Sequence, residues 1–190
     1  MRSEIRITGL GGQGAITAGN ILARAAVLYE GKEAVMTEGY SPYVTGGWSR
    51  ADVVISTEPI DYPLVTKLDL LVTMYQEGLD LNLKMIKGNG AVIAEKQLVS
   101  FSGVTRKDLR MIPVPATSIA ETLGRKIAAN VVLVGSIAAL VESVSIESLK
   151  KALADRFPKA IEFNLKALDA GYELASKATG EHMEEAKQVV

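Results

Sequence analysis

The 190-residue sequence contains no cysteine, a single histidine and no long apolar run. Without cysteine, the chain alone can form no disulfide, thiolate metal site or iron–sulfur cluster. His182 stands by itself in a polar tail, which argues against a zinc site or a histidine-based triad. The most apolar stretch, residues 128–141, is interrupted by polar residues and falls short of the roughly 20 that a membrane-spanning helix needs. We therefore expect a buried helix there and no membrane insertion.

Charge of either sign is not in excess. The chain carries 21 Lys and Arg against 22 Asp and Glu, a net charge of −1 at pH 7, so no basic surplus favours binding to nucleic acid or to an anionic membrane. No signal-peptide pattern precedes the first strand-like segment, which favours the cytoplasm. Hydrophobic residues make up 48% of the chain. A large core and an apolar surface covered by partner chains explain that content equally well.

Strand-like and helix-like segments alternate over residues 1–115. Six segments have strand character: Glu4–Thr8, Glu33–Thr37, Ala51–Ser56, Leu70–Met74, Ala91–Ala94 and Met111–Val114. Helices are expected over Ala15–Tyr29, Leu79–Ile86, Ala128–Val141 and Ile146–Ala154, the last with Ser145 as its N-cap. Two further helices are expected, one that starts at a capping box formed by Ser118 and Glu121 and one that starts at Pro158. The pattern predicts an α/β fold with three layers, a mostly parallel, doubly wound sheet (a mixed sheet is the alternative) and a helical C-terminal third. We expect one domain at residues 1–179 and a polar tail at 180–190.

Two glycine-rich segments are the most informative part of the chain. The first, Gly9-Leu10-Gly11-Gly12-Gln13-Gly14, joins the first strand to the first helix. Such a turn exposes backbone N–H groups at a helix N-terminus, where they and the helix dipole attract phosphate. The second, residues 38–49, contains Gly46-Gly47 and is expected at the same edge of the sheet, where α/β folds bind ligands.

The first glycine segment allows three interpretations. Gly9, Gly11 and Gly14 match the dinucleotide pattern G-x-G-x-x-G, and Glu38 could hold the ribose of NAD or FAD. A tight turn without ligand and a site for another phosphorylated ligand are the alternatives. Gln13 is unusual for a dinucleotide loop. Its amide could bind a ligand or a neighbouring subunit, or it could cap its own loop.

The two glycine segments and several further motifs resemble the gamma subunit of 2-oxoacid:ferredoxin oxidoreductases over nearly the whole chain. The most specific part is the first segment together with Gly46-Gly47-x-Ser49. Supporting matches are Ala18 with Ile21-Leu22-Ala23, Asp52-Val53-Val54-Ile55-Ser56, Pro59-Ile60-Asp61-Tyr62-Pro63, Asp69, Pro115-Ala116, Ile119-Ala120, Leu123-Gly124, Asn130, Gly135, Asn164 and Ala167-Leu168-x-x-Gly171.

This resemblance implies a function within a complex. The gamma chain of the family joins alpha and beta subunits that carry thiamine diphosphate and commonly a delta subunit with iron–sulfur clusters. The assembly converts a 2-oxoacid and coenzyme A to acyl-CoA and CO₂ and reduces ferredoxin. The gamma chain shapes the coenzyme A side of the site, so we expect it to carry no catalytic residue or metal and to be inactive alone. The small subunit of indolepyruvate oxidoreductase, a stand-alone NAD-binding protein and a structural module remain the alternatives, and the isolated chain could form a homodimer.

The resemblance and the chemistry of glycine loops together assign the coenzyme A contacts. The residues are Gly11, Gly12, Gln13, Gly14, Thr45, Gly46, Gly47 and Ser49. We expect backbone N–H groups of residues 12–14 to face the ligand and Ser49 to donate its hydroxyl.

Other side chains near these loops have competing interpretations. Thr45 stands where the family usually has Arg, and Thr cannot grip a phosphate in bidentate fashion. Lys96 or Arg50 could contact a phosphate, with a solvated charge as the alternative. Trp48 could stack on adenine, anchor a subunit interface or pack into the core.

Overall fold

The computed structural model describes residues 1–42 and 46–188, with the backbone alone for Lys126 and residues 181–188. The strands of its sheet are β1 Arg2–Leu10, β2 Glu33–Tyr40, β3 Trp48–Ser56, β4 Leu68–Thr73, β5 Ile86–Glu95 and β6 Arg110–Val114. The helices are α1 Ala15–Glu30, α2 Gln76–Asn82, α3 Ala116–Thr122, α4 Ala129–Ala138, α5 Ile146–Arg156 and α6 Ile161–Gln188. Short 3₁₀ turns occupy Leu83–Met85, Lys126–Ala128 and Pro158–Ala160.

The sheet has the order β2-β3-β1-β4-β5-β6. Parallel pairing joins β1, β4, β5 and β6, whereas β3 is antiparallel to both of its neighbours, β1 and β2. Since β3 follows β2 directly through residues 41–47, the two strands pair as a hairpin and need no crossover helix. The expected α/β fold with a mostly parallel sheet is confirmed, in its mixed form.

Apolar side chains on both faces of the sheet hold three layers together. The larger core lies under α1 and α3–α6 and includes Ile5 and Ile7 of β1 and Leu70 of β4. The smaller core lies on the opposite face, where Leu71 of β4 and Leu79 of α2 are fully buried. Burial of these side chains is the main favourable contribution to folding.

Helices α4 and α6 cross with their backbones in contact. A Cβ atom added at Gly135 would lie 1.9 Å from the carbonyl oxygen of Leu168, and one added at Gly171 would lie 1.8 Å from that of Val132. Only glycine permits this approach on both sides of the crossing. The crossing fixes the first turns of both helices, which reach the candidate site.

Two local predictions fail at element ends. The helix expected over Leu79–Ile86 stops earlier, because Ile86 pairs with Leu68 of β4 and begins β5. The capping box of Ser118 and Glu121 is wrong as well: α3 already begins after Pro115, and the Ser118 hydroxyl accepts a hydrogen bond from Gln97.

The C-terminal third shows a confirmed cap and a longer helix than expected. Ser145 caps α5 by accepting a hydrogen bond from the Ser148 N–H at 3.2 Å. Helix α6 continues through Gly180, where the tail is expected to begin. None of the helices in the described part of the chain has the length and apolar character to cross a membrane.

Candidate functional site

A cavity of about 620 Å³ opens where the two glycine segments meet α4 and α6. Its walls combine bare backbone, aromatic rings and a few polar side chains. The lining residues are Gly11, Gly12, Gly14, Ala15, Ile16, Thr17, Tyr40, Ser41, Gly46, Gly47, Trp48, Ser49, Arg125, Ile127, Ala128, Asn130, Val131, Phe157, Ala160, Phe163 and Asn164. The volume is that of a pocket for one small organic ligand.

A backbone hydrogen bond joins the two glycine segments, and a close contact requires glycine at position 14. The N–H of Gly11 donates to the carbonyl of Gly47 at 2.8 Å, which joins the first segment to the second. Gly14 has a φ of 78°, and a Cβ atom there would lie 2.4 Å from the Asn130 amide nitrogen. That amide donates to the Gly14 carbonyl at 3.3 Å, which ties α4 to the glycine turn.

Gln13 belongs to the turn rather than to the cavity. Its side-chain oxygen accepts from the Leu10 N–H at 2.6 Å, and its side-chain nitrogen donates to the Met74 carbonyl at 3.1 Å. Its backbone N–H donates to the Leu10 carbonyl at 3.0 Å. The amide therefore caps its own loop, which was one of the two alternatives for this residue.

The N–H groups of Gly12 and Gly14 remain available at the cavity wall. Neither donates a hydrogen bond to another residue in the described part of the chain. The first-turn N–H groups of α1 also have no partner within the helix. Gly12, Gly14 and the first turn of α1 line the cavity, and we call this part of its surface the anion-binding wall because free N–H groups at a helix N-terminus attract anions.

Two of the remaining candidates line the cavity. The Ser49 hydroxyl lies 3.4 Å from the Gly9 carbonyl, to which it donates. Half-buried Trp48 forms part of the wall beside Gly47. Thr45 falls outside the described residues.

The two expected basic contacts lie elsewhere. The Arg50 guanidinium lies 5.8 Å from the Trp48 ring and 3.5 Å from Asp52, on β3 outside the cavity lining. Lys96 lines a different groove, with Pro113 and Glu173.

Several side chains that the sequence analysis did not assign to the site also line the cavity, among them Asn164, Arg125 and Phe163. Asn164 is 7% exposed, and its amide forms no hydrogen bond with any other described residue. The Arg125 guanidinium lies 5.7 Å from the Phe163 ring, and Arg125 is the only basic residue among the described lining side chains. Two signals could have indicated Asn164: it matches the family resemblance, and it is a polar residue among the apolar, helically spaced residues of α6.

Glu38 does not take the position that the dinucleotide interpretation requires. Glu38 lies on β2, whereas the glycine turn follows β1, and β3 lies between these two strands. Glu38 is therefore two strand spacings, or about 10 Å, from β1. Its carboxylate accepts a hydrogen bond from the Tyr40 hydroxyl, which raises the pKa of Tyr40. Glu38 does not line the cavity. The NAD-binding alternative is therefore not supported.

Known proteins resemble this chain over most of its length. The profile of a family described as pyruvate ferredoxin/flavodoxin oxidoreductase matches residues 4–174. The 2-oxoglutarate synthase subunit KorC of Methanocaldococcus jannaschii is 46% identical over 179 residues, which cover 93% of this chain and 96% of the relative. An indolepyruvate oxidoreductase subunit, IorB of Archaeoglobus fulgidus, is 31% identical over 196 residues, covering 92% and 96%.

Solved structures show the same fold. The gamma subunit of a keto/oxoacid ferredoxin oxidoreductase from Geobacter sulfurreducens superposes with a TM-score of 0.81 at 34% identity, covering 94% of this chain and 98% of that chain. A 2-oxoglutarate:ferredoxin oxidoreductase from Magnetococcus marinus, solved with 2-oxoglutarate, coenzyme A and succinyl-CoA bound, gives 0.84 at 26% identity. The match covers 93% of this chain and 31% of that longer one.

Proposed function

The chain belongs to the pyruvate ferredoxin/flavodoxin oxidoreductase family, and we propose that it is the gamma subunit of a 2-oxoglutarate:ferredoxin oxidoreductase. The complete enzyme oxidatively decarboxylates 2-oxoglutarate, releases CO₂ and transfers the succinyl group to coenzyme A. The two electrons that 2-oxoglutarate loses pass to ferredoxin. Alpha and beta subunits would bring thiamine diphosphate for decarboxylation, and a delta subunit would bring iron–sulfur clusters. This chain contributes the coenzyme A side of the site.

The observation that carries the coenzyme A assignment is the anion-binding wall at the glycine segments. The N–H groups of Gly12 and Gly14 and the N-terminus of α1 suit the diphosphate of the ligand. Gly46 and Gly47 present backbone without side-chain bulk, which leaves room for the pantetheine arm.

Side chains around the cavity complete the fit. The Asn164 amide has both a donor and an acceptor to offer to the amide groups of that arm. The Arg125 guanidinium adds a positive charge for an anionic ligand. Trp48 presents an aromatic ring on which adenine could stack.

The choice of 2-oxoglutarate is supported by the relatives rather than by the cavity. The KorC subunit of M. jannaschii is more similar in sequence than the IorB subunit of A. fulgidus, at 46% against 31% identity. The 2-oxoacid would react at thiamine diphosphate on another chain, so this chain's part is to hold the thiol-bearing ligand in reach of that site.

The test is purification of the complete complex through a tag on this chain under anaerobic conditions, followed by viologen reduction assays. We expect reduction that depends on coenzyme A and is fastest with 2-oxoglutarate among a panel that includes pyruvate, 2-oxoisovalerate and indolepyruvate. Faster turnover with another acid would overturn the substrate assignment. Recovery of the chain without partners from cells that express the whole set would argue against the subunit role itself.

A further inference from the structure

A second hollow, of about 390 Å³, lies beside α1. Ile16 and Thr17 line both this hollow and the cavity, so the two spaces adjoin at the first turn of α1. Beyond them the hollow is lined by Asn20, Arg24 and Arg156. We name this hollow the α1 groove.

The α1 groove follows one face of the helix away from the glycine turn. Ile16, Asn20 and Arg24 are spaced four residues apart and therefore lie in one row on α1. Side chains on a helix lean toward its N-terminus, which for this row is the end at the cavity. Asn20 lies about 9 Å along the helix axis from Gly14.

Both arginines of the groove have guanidinium N–H groups that are not used in hydrogen bonds to the described residues. The Arg24 guanidinium is 3.9 Å from the Asp155 carboxylate, which is beyond hydrogen-bond distance, and that carboxylate already accepts the Tyr29 hydroxyl. Arg156 lies 5.3 Å from the ring of Phe157 and makes no hydrogen bond or ion pair with the described residues. Phe157 in turn lines the main cavity, so Arg156 stands at the junction of the two spaces.

We propose that the α1 groove binds the 3′-phosphate of coenzyme A through Arg24 and Arg156. The inference rests on the proposed function, because it requires the diphosphate to occupy the wall at Gly12 and Gly14. A ribose ring separates the two phosphate groups of the ligand, and the groove begins one helical turn from that wall. A phosphate monoester carries a charge of about −1.5 to −2 at pH 7 and prefers the bidentate fork of arginine.

Charge in the main cavity supports this placement. Among its described lining residues Arg125 alone is basic, whereas the ligand carries a diphosphate and a monoester. The α1 groove supplies two further guanidiniums at the side of the cavity where the row on α1 begins. The groove would thus distinguish coenzyme A from ligands that lack the monoester.

The test compares coenzyme A with dephospho-CoA in the complete complex. We expect the wild type to have a KM for coenzyme A at least about tenfold lower than for dephospho-CoA. R24Q and R156Q should each raise the KM for coenzyme A by roughly tenfold and leave the KM for dephospho-CoA and the kcat unchanged. Lys84→Gln, which removes a positive charge on the opposite face of the sheet, should change neither KM.

The possible results separate the explanations. A variant that weakens both ligands equally, or a wild type without preference for the 3′-phosphate, would overturn the inference and leave the coenzyme A site itself intact. Failure of R24Q or R156Q to assemble with partner subunits, at an unchanged ligand preference, would assign the groove to a protein contact instead. A wild-type complex that oxidises 2-oxoglutarate without coenzyme A would overturn the proposed function and this inference with it.

Discussion

Asn164 is a buried polar residue whose side chain finds no partner within the described chain. Its amide lines the cavity and is only 7% exposed. If it binds coenzyme A, Asn164→Ala should raise the KM for coenzyme A in the complete complex by about tenfold, with kcat little changed. The free energy of unfolding should change by less than about 1 kcal/mol, because no internal hydrogen bond is lost. Steady-state kinetics and urea unfolding measure the two effects.

Asn82 provides the matched control for that substitution. It is equally buried, but its amide donates to the Gly78 carbonyl at 2.7 Å and accepts from Arg6 at 2.7 Å. Asn82→Ala should therefore cost about 1–3 kcal/mol of stability and leave the KM for coenzyme A unchanged. The assignment of Asn164 would be refuted if the two variants showed the same pattern.

Glu30 makes stability depend on pH. The Ser148 hydroxyl, then the hydroxyl and N–H of Ser145, donate to its carboxylate and lower its pKa from 4.5 to about 2. A lowered carboxyl pKa stabilises the folded state above the unfolded-state value and loses that contribution as the pH falls from about 4.5 to about 2. The contribution at neutral pH is at most about 3 kcal/mol.

Replacing Glu30 with Gln should remove this dependence. Urea unfolding should show a large stability gap between wild type and Glu30→Gln at pH 7, and that gap should shrink as the pH approaches about 2.5. Glu147→Gln, at a carboxylate that is 70% exposed, should differ little from wild type at either pH. A gap of constant size across this range would show that the Ser145 and Ser148 contacts do not depend on the charge.

The glycines of the site could be predicted from sequence, but most of its side chains could not. Gly12 and Gly14 have φ values of 88° and 78°, which residues with a side chain rarely adopt, so the glycine spacing alone indicates a turn at a helix N-terminus. Gln13 has amide groups that suit either a ligand or its own loop, and only the position of the Met74 carbonyl decides between them. Arg125 reaches the cavity from the connection between α3 and α4, whose path depends on the packing of α4 against α6.

At the level of elements, the crossing of α4 and α6 is the most sensitive contact. A methyl group at position 171 would lie 1.8 Å from the Val132 carbonyl oxygen, so Gly171→Ala must push the two helices apart. We expect a loss of about 3 kcal/mol or more in the free energy of unfolding. Because these helices carry Asn130 and Asn164, binding of coenzyme A should weaken too.

Gly180 is the control on the same helix. Nothing lies within 4 Å of a Cβ atom added there. Gly180→Ala should leave stability unchanged or raise it by about 0.5–1 kcal/mol, since alanine favours the helix. Equal losses in the two variants, measured by urea unfolding, would show that the crossing is not what makes Gly171 irreplaceable.

The sequence predicted where the strands and helices lie along the chain more accurately than it predicted where they end and in which direction the strands run. All six strands were found because each is a short apolar run between turn residues, and α1 was found from its glycine boundaries. The reversal of β3 has no local signature, because an apolar strand buried on both faces looks alike in either direction. Ile86 joins a strand rather than α2 because Leu68 offers it a pairing partner, which is a tertiary cause.

At the level of the whole molecule, the chain combines a large core with a few strongly exposed apolar side chains. Leu70, Leu71 and many others are fully buried, yet Ile127 is 81% exposed and Leu81 66%. The large core therefore accounts for much of the hydrophobic content, and coverage of the exposed side chains by partner chains stays a prediction. Ile127 lines the cavity, so a partner that covers it would also border the proposed coenzyme A site.

This arrangement predicts that the isolated chain is inactive. Its cavity offers backbone N–H groups, amides and one guanidinium, which can hold a ligand but cannot decarboxylate a 2-oxoacid. Within the described residues, no group of three or more His, Cys, Asp or Glu side chains is placed to hold a metal ion. The purified chain with 2-oxoglutarate, coenzyme A and viologen should show no reduction above background. Addition of the partner subunits should restore turnover that saturates as this chain is titrated in, whereas a rate that scales with the isolated chain alone would contradict the subunit role.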